Sequence, residues 1–218
     1  MAVSVKSHRE IELMREAGKI LGTVLNNLTK EIKPGMSTWH IDKMGEDMIR
    51  SFDCVPSFLG YGGSEMCIRD RSDAARTVGV GQISDEAAQL IEVTRQSFFE
   101  GIKFAKEGCH LHEISNAIAD YNEKHGYGVI RDLVGHGIGI KLHEDPEIPN
   151  FRQERRGIKL YEGMTLAIEP MVAMGDWKVR CLDDDWTMVT TDHSLTAHYE
   201  NTVLVTKNGP EILSLVKE

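Results

Sequence analysis

The chain has 218 residues, of which 41% are hydrophobic and 27% charged, and its formal net charge is −9. That balance is ordinary for a globular protein and excludes disorder, collagen-like repeats and a disulfide-dense miniature scaffold. An acidic chain with no basic block is poorly suited to nucleic acid or an anionic membrane surface, and no apolar run approaches the roughly 18 residues of a membrane span. The four cysteines, Cys54, Cys67, Cys109 and Cys181, form no CxxC pair, and the opening MAVSVKSHRE carries no apolar h-region. Reduced thiols in a cytoplasmic protein are the expectation.

Ser7 followed by Glu10 forms a capping box, and Ile11, Met14, Ala17, Leu21, Val24, Leu25 and Leu28 recur behind it at helical spacing. Pro34-Gly35 ends that helix. A second is predicted from Ser37 or Thr38, burying Ile41, Met44, Met48 and Phe52. A third follows Ser84, with Leu90, Ile91, Phe98, Ile102 and Ala105 inward. A fourth runs from His112 to His125, and Gly126 stops it because glycine enters the left-handed region at little cost. From Tyr127 the pattern changes to strands over 127–133, 164–173, 177–182, 186–191 and 194–206, with turns at Asp192-His193 and at 207–210. Helices first and antiparallel strands second predict one α+β layered domain spanning 1–218. Residues 60–72, GYGGSEMCIRDRS, fit neither period.

Four residues stand in settings that call for chemistry. Asp73 opens Asp73-Ala74-Ala75-Arg76-Thr77 and leads into a predicted strand. His136 lies among the glycines of 135–139, where small neighbours let a backbone approach a ligand closely. Glu169 interrupts the apolar run 166–172, and Glu200 the run 197–203. Carboxylates are rarely buried unless paired or bound to a metal. Two of them in core-like strands, with a glycine-flanked histidine, suit a divalent cation with mixed oxygen and nitrogen ligands. Singly, each has a plainer reading: a salt-bridged strand glutamate, a loop histidine, a capping aspartate.

Taken together, the segments 73–77, 135–139, His143-Glu144-Asp145-Pro146, Ile168-Glu169-Pro170 and His198-Tyr199-Glu200 resemble the signature segments of type I methionine aminopeptidases, in that family's order. The resemblance covers nearly the whole chain. It implies the creatinase-like "pita-bread" fold, an antiparallel sheet covered by helices, holding two divalent ions (Co, Mn, Fe or Zn). It also implies removal of the initiator methionine from nascent chains, with a metal-bound water attacking the scissile carbonyl. Carried over by position, Asp73 and Glu200 would bridge the metals, while His136 and Glu169 would be terminal ligands of one. Glu169 would also act as general base, and His143 would hydrogen-bond substrate or the developing oxyanion. Phe58, Tyr61, Leu142 and Trp186 would line the methionine side-chain pocket. The implied partners are nascent polypeptide N-termini beginning with Met, near the ribosome, with no nucleic acid and no membrane, and the implied state is a monomer.

The sequence departs from that family in one place. Members carry a longer stretch between the motifs at Tyr61 and Asp73, with several core strands, a substrate-contacting histidine and a further aspartate ligand. The position matching that aspartate is Gly62, which cannot ligate through a side chain, and Asp70 stands too near Asp73 to replace it. One metal would then keep four ligands and the other only the two bridging carboxylates, so at most one tightly held metal is expected. Met66-Cys67-Ile68-Arg69-Asp70-Arg71 is also what ATG TGT ATA AGA GAC AGR encodes, a string resembling a transposase-adapter end, and we read Glu65–Arg71 as adapter-derived and the domain as incomplete around 64–72. Two other readings compete: a proline-specific dipeptidase or aminopeptidase of the same fold, and a catalytically impaired or non-catalytic pita-bread binding module.

Overall fold

Helices form where capping chemistry and apolar spacing predict them. The computed structural model describes residues 3–57 and 71–216, so Phe58, Tyr61, Gly62, Cys67 and Asp70 lie outside the described residues. In α1 (His8–Glu31), Ser7 caps the first turn and its own N–H donates to the Glu10 carboxylate at 2.6 Å. Helix α2 (Thr38–Arg50) starts from a Ser37 cap, α3 (Asp85–Ile102) from Ser84, and α4 (Leu111–Lys124) from His110 with Glu113 reaching back to its N–H. Gly126 follows at φ +80°, as its role of helix stop requires. The predicted buried face of α2 does not form. None of its residues is fully buried, Ile41, Met44 and Met48 are half-buried, and Phe52 lies beyond the helix and is exposed.

Eleven short strands follow among the described residues: β1 (Ala74–Ala75), β2 (Gly128–Val129), β3 (Gly135–Gly137), β4 (Glu144–Ile148), β5 (Thr165–Ile168), β6 (Met171–Ala173), β7 (Val179–Cys181), β8 (Met188–Thr190), β9 (Thr196–His198), β10 (Glu200–Thr206) and β11 (Gly209–Ile212). An antiparallel six-stranded sheet runs β1-β10-β5-β3-β4, with β11 added to β10. Strands β2-β6-β9 make a second sheet, and β7-β8 a separate ribbon. Side-chain alternation sorts the central strands between two helix layers. Leu166, Ile168, Val203 and Val205 share a core with Phe98, Ile114 and Ile118 of α3 and α4. Ala167 and Leu204 point the other way, to Met14 of α1, Ile138 and Leu213. The expected α+β architecture, with a helix-covered antiparallel sheet, is what the chain adopts.

Two expected strands turn out to be divided. The run 164–173 breaks at Glu169-Pro170, and 194–206 breaks at Tyr199. Proline has no N–H to continue a ladder, and the Tyr199 N–H instead donates to the Pro170 carbonyl at 3.2 Å. At that level both chains leave the three-stranded sheet and enter the six-stranded one: β6 pairs with β9 below the break, β5 with β10 above it. The expected strand 127–133 shrinks to β2, while β3 and β4 appear where no strand was predicted. Among the described residues no helix is long and apolar enough to cross a membrane.

Candidate metal centre

The crossing between the two sheets is where the ligand-type side chains gather. Glu169 follows β5, His198 ends β9 and Glu200 opens β10, so three of them sit within one residue of the two strand breaks. His136, in the middle of β3, lies opposite Ala167 of β5. Asp73 precedes β1, whose Ala75 pairs with Glu200. Its backbone is clamped by Thr202: the Asp73 N–H donates to Thr202 Oγ1 at 2.8 Å, and that hydroxyl donates to the Asp73 carbonyl at 2.9 Å. The flanking glycines of His136 have a different reason from the expected ligand approach. A Cβ at Gly135 would come within 2.4 Å of the Ala167 carbonyl oxygen, and one at Gly137 within 2.2 Å of the Asp145 carbonyl oxygen. Neighbouring backbones, rather than a ligand, demand glycine on either side of the histidine.

His136 Nε2 is 3.9 Å from Asp73 Oδ2 and 3.6 Å from Glu169 Oε1. His198 Nε2 is 3.5 Å from Glu169 Oε2 and 3.7 Å from Glu200 Oε2. These separations are too long for hydrogen bonds. They match ligands gathered around a cation, since donors about 2.1 Å from a tetrahedral zinc stand about 3.4 Å from each other. His136 Nδ1 donates to the Gly137 carbonyl at 2.9 Å, which leaves the Nε2 lone pair facing the carboxylates, the tautomer a metal ligand requires. Burial, followed by the neighbouring charges of Asp73 and Glu169, pushes the Glu200 carboxyl well above the usual carboxylate range. Burial also raises Asp73, with His136 partly opposing it. The Arg76 charge opposes the rise at Glu200 only in part: its guanidinium donates to the Glu200 main-chain carbonyl and to Asn201 Oδ1, and stacks 4.3 Å over the Tyr199 ring. Three carboxylates crowded with two imidazoles form a donor set that a divalent cation fits.

The structure thus brings Asp73, His136, Glu169 and Glu200 together. His143 stands beside them, its ring 4.2 Å from that of His136. Burial and then the His136 ring lower its basicity, which keeps it neutral at pH 7. Its loop is held by Glu144, which accepts from the Lys141 N–H at 3.0 Å and from the buried Lys6 ammonium at 2.6 Å. Leu142 is buried with Met14, Ile138 and Leu204, and Trp186 is 68% exposed on the turn between β7 and β8. His198 was not singled out in the sequence, although a usable signal was present: it stands two residues before Glu200, and alternate strand residues share a face.

Comparison with known proteins accords with this geometry. The sequence pattern of metallopeptidase family M24 matches residues 63–207. The methionine aminopeptidase of Clostridium acetobutylicum is 47% identical over 247 aligned positions, which take in 98% of this chain and 99% of that protein. Against a chain of 218 residues, those 247 positions leave at least 29 of the relative's without a counterpart. The crystal structure of methionine aminopeptidase from Thermotoga maritima superposes with a TM-score of 0.93 at 36% identity, covering 99% of this chain and 100% of that one. An Xaa-Pro dipeptidase from Bacillus anthracis shares the fold alone, at 20% identity and a TM-score of 0.73, and this chain spans only 62% of it. The proline-specific alternative and the non-catalytic one therefore lose their support. By sequence along its whole length and by fold, the chain belongs to the methionine aminopeptidases of metallopeptidase family M24.

Proposed function

We propose that this chain removes the N-terminal methionine from nascent polypeptides in the cytoplasm, using Asp73, His136, Glu169 and Glu200 to hold divalent metal. The observation that carries the reading is the set of 3.5–3.9 Å separations among buried carboxylate and imidazole atoms, too long for hydrogen bonds and right for shared coordination. A divalent cation bound there supplies a water of lowered pKa and polarises the scissile carbonyl. Glu169 is the proton acceptor: its main chain is fixed by Asn150 Nδ2, which donates to the Glu169 carbonyl at 3.1 Å, so the carboxylate is presented in one place. His143, neutral and next to His136, donates a hydrogen bond to the substrate carbonyl as charge develops on its oxygen. The Lys6–Glu144 ion pair steadies the loop that carries His143.

Release of free methionine from Met-Ala-Ser, set against cleavage of Ala-Pro peptides, tests the reading. Methionine release in the presence of cobalt or manganese is expected, with Glu200→Gln and His136→Ala each lowering kcat/KM by at least roughly 100-fold. Cleavage of Ala-Pro with Met-Ala-Ser untouched would overturn it.

A further inference from the structure

Asp73 and Glu200 are like-charged when ionised, yet their carboxylates converge on His136 from distant parts of the chain, so the backbone has to hold them together. The sheet does this for Glu200, which opens the seven-residue β10 and pairs with Ala75. It does less for Asp73. Strand β1 has two residues, and its ladder stops at Ala74 opposite Asn201. The next residue of β10 is Thr202, whose main chain is already engaged by the C-terminal segment. Its N–H donates to Ser214 Oγ at 3.0 Å, and its carbonyl accepts from the Leu213 N–H at 2.9 Å. Asp73 is therefore left just outside the ladder, at a seam along β10 between β1 and the residues that follow β11.

The Thr202 side chain closes that seam. Besides clamping the Asp73 N–H and carbonyl, its hydroxyl accepts from Ser72 Oγ at 3.1 Å. A hydroxyl offers one proton and two lone pairs, and all three are used here, in a residue with no exposed surface. The network continues from its main chain. Ser214 Oγ donates to Asn201 Oδ1 at 3.0 Å, Arg76 Nη2 donates to the same oxygen at 2.7 Å, and Arg76 Nη1 donates to the Glu200 main-chain carbonyl. Asn201 and Ser214 are fully buried as well. Hydrogen bonds thus run without a break from the main chain of Asp73 to that of Glu200. We propose that Thr202 is a positioning residue, whose hydroxyl fixes Asp73 against Glu200 so that both carboxylates meet His136 in a ready-made ligand cluster. This inference rests on the metallopeptidase reading above and adds a residue that acts only through Asp73.

The test compares two variants of the metal-free full chain, folding being checked by circular dichroism and cobalt(II) uptake by calorimetry. Thr202→Val keeps the shape and loses the hydroxyl; Thr202→Ser keeps the hydroxyl and loses a buried methyl group. Packing alone would make serine the worse of the two. Positioning predicts the reverse: Thr202→Val should weaken cobalt uptake at least about tenfold, while Thr202→Ser stays within about threefold of the unaltered chain. A folded valine variant that takes up cobalt normally, or a serine variant as impaired as the valine one, overturns the assignment of Thr202 and leaves the metallopeptidase reading standing. If Thr202→Val does not fold, Ser214→Ala takes its place, since it removes the acceptor behind the Thr202 N–H. Weakened uptake is expected there too, and unchanged uptake overturns the assignment. An unaltered, folded chain that takes up no cobalt overturns both.

Discussion

The two helix layers of this molecule are built to different standards. On one side, α3 and α4 press Phe98, Ile114 and Ile118 into the sheet, and Phe98 meets Tyr199 edge-on at 5.3 Å, just where the strands cross. On the other, α1 is seated along only one stripe. Its Gly18 and Gly22 lie against the carbonyls of Leu213 and Ser214, while its outer side and α2 border an apolar groove of about 740 Å³. Phe52, residues 54–57 and residues 71–74 line the same groove. Those are the two ends of the segment where the resemblance puts the missing stretch. One helix layer is packed into the sheet, then, and the other borders an open groove, which teaches that the strand crossing is braced from the α3–α4 side.

Substitutions can break or sharpen this contrast. Phe98→Ala is expected to cost about 3–5 kcal/mol, because a fully buried ring leaves a cavity; Met48→Ala on α2 should cost less than about 1 kcal/mol. Equal losses in urea melts would break the comparison. Lys6→Met should lose about 3 kcal/mol by leaving Glu144 with an uncompensated charge, and Glu144→Gln in that background should recover most of it in the same melts. Gly18→Ala should destabilise by about 1–2 kcal/mol despite the better helix propensity of alanine, since its Cβ would stand 2.4 Å from the Leu213 carbonyl oxygen. A gain in Tm would show that α1 can slide into the groove. The smallest effect belongs to Asp192, whose carboxylate accepts from the Ser194 and Asp176 N–H groups and is held at about 2 against an ordinary 3.8. A lowered folded pKa means that its contribution is present above pH 4 and lost as pH falls toward 2. Asp192→Asn should slightly flatten Tm against pH in that window alone.

Much of this was legible in the sequence because it rests on local chemistry. Ser7 with Glu10, Ser37, Ser84 and Gly126 mark helix ends through hydrogen bonds to their own neighbours. Glu169 and Glu200 stood out as lone carboxylates in apolar runs. The strands β3 and β4 were hidden because Gly-His-Gly and Glu-Asp-Pro-Glu carry no alternation, and their pairing is set by distant partners. The division of two long strands was hidden for a similar reason: a single proline and a tyrosine decide it through contact with each other. The spacing of His198 from Glu200 is legible in the sequence, but its approach to Glu169 depends on how distant strands meet. The adapter reading of Glu65–Arg71 has its own check. Amplification of the locus from source DNA should restore a longer coding stretch, and recovery of MCIRDR with nothing added would refute it.

The crossing at Tyr199 leaves the chain no slack. Strand side chains alternate faces, so one residue inserted or deleted there would turn Val203 and Val205 from α3 and α4 toward α1 and carry Glu200 out of the centre in the same stroke. At this point, the counting of residues and the placing of ligands are one constraint.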